Sequence, residues 1–348
     1  MKFSLFHLPS FCPPFHTSDA QFYQDMLTET DRAEALGFHA VWAAEHHFYR
    51  YGGHIPSVPV LGAAIAQRTK RLRIGSGITL LPLQDPIRVA EEFALLDCLS
   101  DGRLEFGIGR GFQKVEYDAF ERNMADSRIL FEEAHDIIMK AWTQERFSHE
   151  GKFRRIQNLC VIPKPVQKLP PVYVASIFTP DSFEWTGRMG YNLMIVPYAV
   201  AKPETLAQNM KRFRDARIAH GHTTEPEVLA VYHFYCGETN EEAKEEARGA
   251  MMRYLQSAAE PNQEAAYSAQ YAGYEKLSEG FKRMDYDAYL YPHRLVVGDP
   301  DQGAERITLI RATGITNVGL IANFGGLEHT KVLASLDRIA KNVMPRFC

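Results

Sequence analysis

The chain has 348 residues, 45% of them hydrophobic and 24% charged, enough apolar material for a large core and too much for a disordered chain. Lys and Arg total 39 against 43 acids, a net charge of −4, which gives no positive field for gathering nucleic acid or an anionic membrane. No apolar run approaches the ~18 residues of a membrane span, and the opening MKFSLFHLPSF reads as a strand with one Lys, not as a secretory leader.

Short β-rich runs alternate with amphipathic helical runs. Phe3–Leu8 reads as a strand and Phe22–Leu36 as a helix capped by Gly37. Strand Ala40–Ala44 and helix Pro59–Arg68 follow, then strand Leu72–Leu80 with helix Ile87–Leu99. Strand Leu104–Ile108 leads to helix Arg128–Thr143, and Phe147–Ile162 alternates around Gly151 as a hairpin excursion. Strand Val172–Ala175, helix Phe183–Met189, strand Leu193–Val196, helix Glu204–His220, strand Val228–Cys236 and helix Glu241–Leu255 continue the alternation. Strand Val318–Ala322 and helix Thr330–Val343 end it. Eight strands, each followed by a helix, predict a (β/α)8 TIM barrel with insertions, against an open doubly wound sheet that shares the alternation. The chain reads as one domain over 1–348, interrupted by an irregular stretch, about 257–293, of the kind that forms a lid or a mobile segment.

Barrel chemistry collects at the carboxyl ends of strands. The second strand ends in Glu45-His46-His47, the third around Gly77-Ile78-Thr79, the fourth in Gly107-Ile108-Gly109-Arg110-Gly111 and the fifth in Ala175-Ser176, with Thr179 shortly after. His46 is a candidate acid–base group with a neighbouring carboxylate, Glu45. The same cluster invites a metal, but no other strand end offers matching ligands, so no metal is assigned. The glycine run lacks the G-x-G-x-x-G spacing of a dinucleotide fingerprint. Its glycines let a flat ring or a phosphate approach the backbone, and Arg110 offers a planar cation for phosphate. Arg128, at a helix start, is a second phosphate candidate or a surface residue. Ser176 and Thr179 precede a helix and serve either an anion or simple N-capping. The five cysteines, Cys12, Cys98, Cys160, Cys236 and Cys348, form no C-x-x-C pair, which fits reduced thiols of a cytoplasmic protein better than a disulfide frame.

The runs VWAAEHHF, LRIGSGITLLPLQDPIRVAEEFALLDCLSDGRLEFGIGRGF, ADSR and ASIFTP…EWTGRMGY resemble the luciferase-like flavin monooxygenases, and VVGDPDQGAERI…VLASLDRIAKNVMP resembles their non-luminous members. The resemblance implies a barrel that takes reduced FMN (FMNH2) from a separate flavin reductase and uses O2, through a flavin peroxide, to oxygenate a small aldehyde, ketone or sulfur compound. It implies His46 as the catalytic histidine with Glu45 beside it, and a cis peptide at Gly77–Ile78 under the ring. Arg110, Arg128, Ser176 and Thr179 would hold the phosphate, with Phe112 against the ring and Ala175 in the same pocket. It also implies a homodimer through the helices Pro59–Arg68, with its small Gly62, Ala63, Ala64 and Ala66, and Ile87–Leu99. Two positions depart from the luminous members: Ala175 replaces a Glu, and Gly109 replaces a Cys, opening space near the ring. Competing readings are a deazaflavin-dependent hydride-transfer enzyme on the same barrel and a non-catalytic flavin-binding protein.

Overall fold

A computed structural model describes residues 1–13, 15–199, 203–260, 280 and 284–347. Its strands are β1 Lys2–His7, β2 Ala40–Ala43, β3 Arg73–Ser76, β4 Thr79–Leu80, β5 Leu104–Gly109, β6 Phe147–Glu150, β7 Arg155–Leu159, β8 Val172–Ala175, β9 Asn192–Ile195, β10 Val228–Cys236, β11 Val296–Gly298 and β12 Asn317–Ile321. The parallel order β1-β2-β3-β5-β8-β9-β10-β12 closes on itself, because β12 pairs back onto β1 with Phe3 opposite Val318. This is a (β/α)8 barrel, and its eight staves are the eight strands that the alternation predicts. The remaining strands decorate it: β6 and β7 form the expected hairpin, and β11 adds to the outer part of β10.

The helices are α1 Asp19–Leu36, α2 Val58–Arg68, α3 Pro86–Leu99, α4 Lys114–Ala119, α5 Ser127–Thr143, α6 Pro180–Arg188, α7 Pro203–Ala219, α8 Asn240–Ala259, α9 Pro300–Ala312 and α10 His329–Asn342. Local chemistry starts and stops them. Ser18, Ser57, Asp85 and Asp299 accept backbone N–H bonds at the starts of α1, α2, α3 and α9, and Gly37 closes α1 in the left-handed conformation. Inside the barrel, side chains from alternate positions fill the axis; Trp42 meets Tyr173 edge-on at 4.8 Å.

Two expectations change. The third strand, read as Leu72–Leu80, is broken into β3 and β4 by a cis peptide at Gly77–Ile78. The irregular stretch 257–293 begins as a continuation of α8 to Ala259, and Tyr286–Leu290 and Tyr291–His293 are helical; its residues 261–279 and 281–283 lie outside the described residues. The small elements α4 and β11 were not legible, being six and three residues long, too short for periodicity to register.

At the amino-terminal floor of the barrel, His39, Glu105 and Glu227 bring ligand-type atoms within 4.8 Å of one another. Protein cations already occupy the two carboxylates. Arg73 Nε donates to Glu105 at 2.6 Å, and Lys2 pairs with Glu227. The floor therefore reads as an ion-paired closure of the barrel.

Candidate active site

The opposite, carboxyl-terminal mouth holds a cleft of about 1350 Å³, its solvent-open entrance included. Glu45, His46, Gly77, Ile78, Arg110, Phe112, Arg128, Ala175, Ser176 and Thr179 all line it. The cis peptide falls at Gly77–Ile78. No helix among the described residues is long and apolar enough to cross a membrane.

The two neighbours Glu45 and His46 both reach the cleft because β2 ends at Ala43, so strand alternation no longer governs them. They do not pair with each other. Glu45, 1% exposed, faces His47 Nε2 at 3.2 Å and accepts from Gln84 Nε2 at 2.7 Å and from the Leu80 N–H at 3.3 Å. His46 Nδ1 instead lies 3.1 Å from Glu116 Oε1, which also accepts the His47 N–H at 3.0 Å. Sequence adjacency pointed to Glu45 as the acid beside His46; the structure supplies Glu116 from α4. A carboxylate only accepts, so Nδ1 of His46 is the donor in this pair. His46 is 9% exposed, against the cleft, while its ring stands edge-on to Phe112 at 6.1 Å. His47 does not line the cleft and packs on Phe120 at 4.9 Å.

Glu116 was missed because it comes from a short helix after the fourth strand, seventy positions from its histidine, and a scan of strand ends cannot reach it. The only signal was the short run after Gly111. Tyr117 ties that helix down by donating its hydroxyl to the Arg110 carbonyl, so the Glu116 carboxylate and the Arg110 loop are held as one piece.

Across the cleft, Arg110 Nη1 reaches Ser127 Oγ at 3.5 Å, and Arg128 lies 3.5 Å from Asp181 in the first turn of α6. Ser176 is 2% exposed and its hydroxyl has no partner among the described residues. Thr179, at the N-cap of α6, makes no side-chain capping bond. Capping therefore consumes neither hydroxyl. Two guanidinium groups, two uncommitted hydroxyls and a helix start on one wall fit the phosphate of a nucleotide. Gly109 does not open the space assigned to it: a Cβ there would stand 2.1 Å from Ile78 Cδ1. Ile78 fills that volume, and the glycine is what lets it do so.

Residues 1–317 match the family described as luciferase-like monooxygenase. The chain belongs to this family. It is 26% identical to the oxygenase component of the flavin-dependent trigonelline monooxygenase of Acinetobacter baylyi, over 100% of this chain and 96% of that protein. Monooxygenase RslO1 of Streptomyces bottropensis superposes with a TM-score of 0.87 at 29% identity, covering 100% of both chains. The FMN complex of the oxygenating constituent of 3,6-diketocamphane monooxygenase from Pseudomonas putida shares the fold, with a TM-score of 0.82 at 23% identity over 100% of this chain and 99% of that one. Two uncharacterised Sinorhizobium fredii proteins match at 32% and 36% identity, each over about half of either chain.

Proposed function

We propose that this luciferase-like barrel is the oxygenase of a two-component system: it binds FMNH2 delivered by a separate flavin reductase and oxygenates a small organic molecule with O2. The observation that carries this reading is that one cleft joins an anion-fitted wall, with its unpartnered Ser176 hydroxyl, to the carboxylate-backed histidine His46. The Acinetobacter relative is named as an oxygenase component, which supports the separate reductase.

In this reading Arg110, Arg128, Ser176 and Thr179 hold the phosphate. Gly77, Ile78, Phe112 and Ala175 bound the ring. Bound reduced flavin supplies two electrons, so that one atom of O2 enters the substrate and the other leaves as water. His46 Nε2 holds or moves the proton this exchange needs, and Glu116 fixes the tautomer. Glu45, its oxygens engaged by His47, Leu80 and Gln84, is a positioning residue that braces the rim. Apolar side chains limit water in the cleft.

The homodimer is part of the proposal, but its basis shifts. Gly62 is buried against Leu96 of the same chain, where a Cβ would stand 2.8 Å from Leu96 Cδ2. The outward apolar residues Val60, Leu95 and Leu99 of α2 and α3, 73%, 49% and 45% exposed, are the surface that a second copy would cover. Sedimentation as a 39.5 kDa species alone at micromolar concentration would refute it.

The functional test is turnover under 18O2 with FMN, NADH and a flavin reductase, across aldehydes, ketones and thioethers. One labelled oxygen per product molecule is expected. Tight binding of NAD(P)H with no binding of flavin would end the reading.

A further inference from the structure

Beside His46 the cleft is walled by a cluster of phenol hydroxyls for which flavin binding has no use. Tyr51 follows β2 and Tyr198 follows β9, the second and sixth of eight staves, so the two rings come from opposite sides of the barrel and both line the cleft. Tyr254 of α8 lies behind them, fully buried. Its hydroxyl is 3.0 Å from that of Tyr198, and the Tyr51 hydroxyl interacts with both. The Tyr51 ring is 5.3 Å from His46. The same cleft is lined by the apolar side chains of Phe6, Leu8, Val196 and Val231.

Three hydroxyls carry three protons. Closed on one another they use all three; opened to a line by a ligand they spend two on each other and free one to donate. Burial pushes all three phenols up from their ordinary pKa, so they stay protonated at working pH. His233 takes no proton from them: its ring packs on Tyr198 and Tyr254 at 4.7 and 4.1 Å, and neither of its nitrogens is hydrogen-bonded among the described residues. The spare proton calls for an acceptor on the ligand. A thioether sulfur accepts weakly. A carbonyl oxygen on an otherwise apolar body satisfies both the hydroxyls and the wall.

We propose that Tyr51 and Tyr198 form the substrate anchor, one of them donating the cluster's spare proton to the carbonyl oxygen of a small apolar ketone or aldehyde and so holding it beside His46. This rests on the monooxygenase reading and narrows its substrate class.

The test is binding without turnover. Cyclohexanone and its hydrocarbon counterpart methylenecyclohexane are titrated into the protein with and without oxidised FMN, for the wild type, Tyr51→Phe, Tyr198→Phe and the double variant. Infrared spectra of 13C-labelled cyclohexanone follow the carbonyl band. The wild type should prefer the ketone about tenfold, the worth of one neutral hydrogen bond. Its bound carbonyl band should fall below the position in hexane. Each Phe variant should erode both effects, and the double variant should abolish them. Equal binding of ketone and alkene, no binding of either, or an unshifted band in the wild type overturns the anchor. So do variants that lose melting temperature yet keep preference and band, because the hydroxyls are then only a brace. Should a variant fail to fold, the wild-type band still decides. Absence of FMN binding while the ketone results hold would sink the flavin reading and leave the anchor standing.

Discussion

Two histidines near the same barrel mouth show how environment, not residue type, sets what an imidazole can do. His46 sits just past a strand end, borders the cleft, and has a carboxylate on Nδ1. His233 lies within β10, completely buried among Tyr198, Tyr254 and Phe324, with both nitrogens unbonded among the described residues. Burial alone lowers the His233 pKa to about 3, so it stays neutral wherever the protein works. Proton handling requires both an opening to the reactants and a partner that fixes the tautomer; His233 has neither.

The largest effect should come from removing the first histidine. His46→Ala should fold, keep FMN affinity and lose about 10²–10⁴-fold in product formation, with hydrogen peroxide released in its place. Product and peroxide are counted together in a reductase-coupled assay. Retained coupling would make His46 structural. His47, which lies off the cleft and holds Glu45, would make a poor substitute.

Next in size is the phosphate wall. Arg110→Ala should weaken FMN by about 1.5–3 kcal/mol and riboflavin far less, because the lost bond is charge-assisted. Fluorescence titration of the two flavins reads this, and equal losses would move Arg110 off the phosphate.

A smaller effect should follow from the partner of His46. Glu116→Gln should leave FMN affinity intact and reduce coupling about tenfold, less than His46→Ala, since the amide still faces Nδ1 but no longer fixes which nitrogen carries the proton. If Glu45→Gln matches it and Glu116→Gln has no effect, the assignment of partners is reversed.

Much of this contrast could be read in the chain. The eight staves, the cis bond and the ten cleft residues all follow from strand ends and the luciferase-like motifs. What could not be read is how side chains pair across the mouth. Glu45 precedes His46 in sequence yet serves His47, while Glu116 arrives from a helix of six residues. Tyr51, Tyr198 and Tyr254 meet across the barrel mouth, and no local pattern marks them. Gly109 read as open space because a glycine shows only what is absent; Ile78 fills the gap.

The second histidine should show itself only in stability. The unfolded chain binds a proton at His233 below about pH 6.5, whereas the folded chain refuses it until about pH 3. Stability from neutral His233 is thus complete above pH 6.5 and falls as the pH drops toward 3, by at most about 1.4 kcal/mol per unit. Urea midpoints at pH 7 and pH 5 should differ less in His233→Phe than in the wild type. An identical difference would show that His233 does not contribute.

The most direct test of the contrast is 15N spectroscopy of protein labelled at the imidazole nitrogens, recorded from pH 5 to 8 with and without FMN. His46 should be the Nδ1–H tautomer at pH 8, with an Nε2 resonance that moves when FMN is added, while His233 remains neutral and unmoved throughout. An Nε2–H tautomer at His46 that ignores FMN, or a His233 that protonates within this range, would contradict the account.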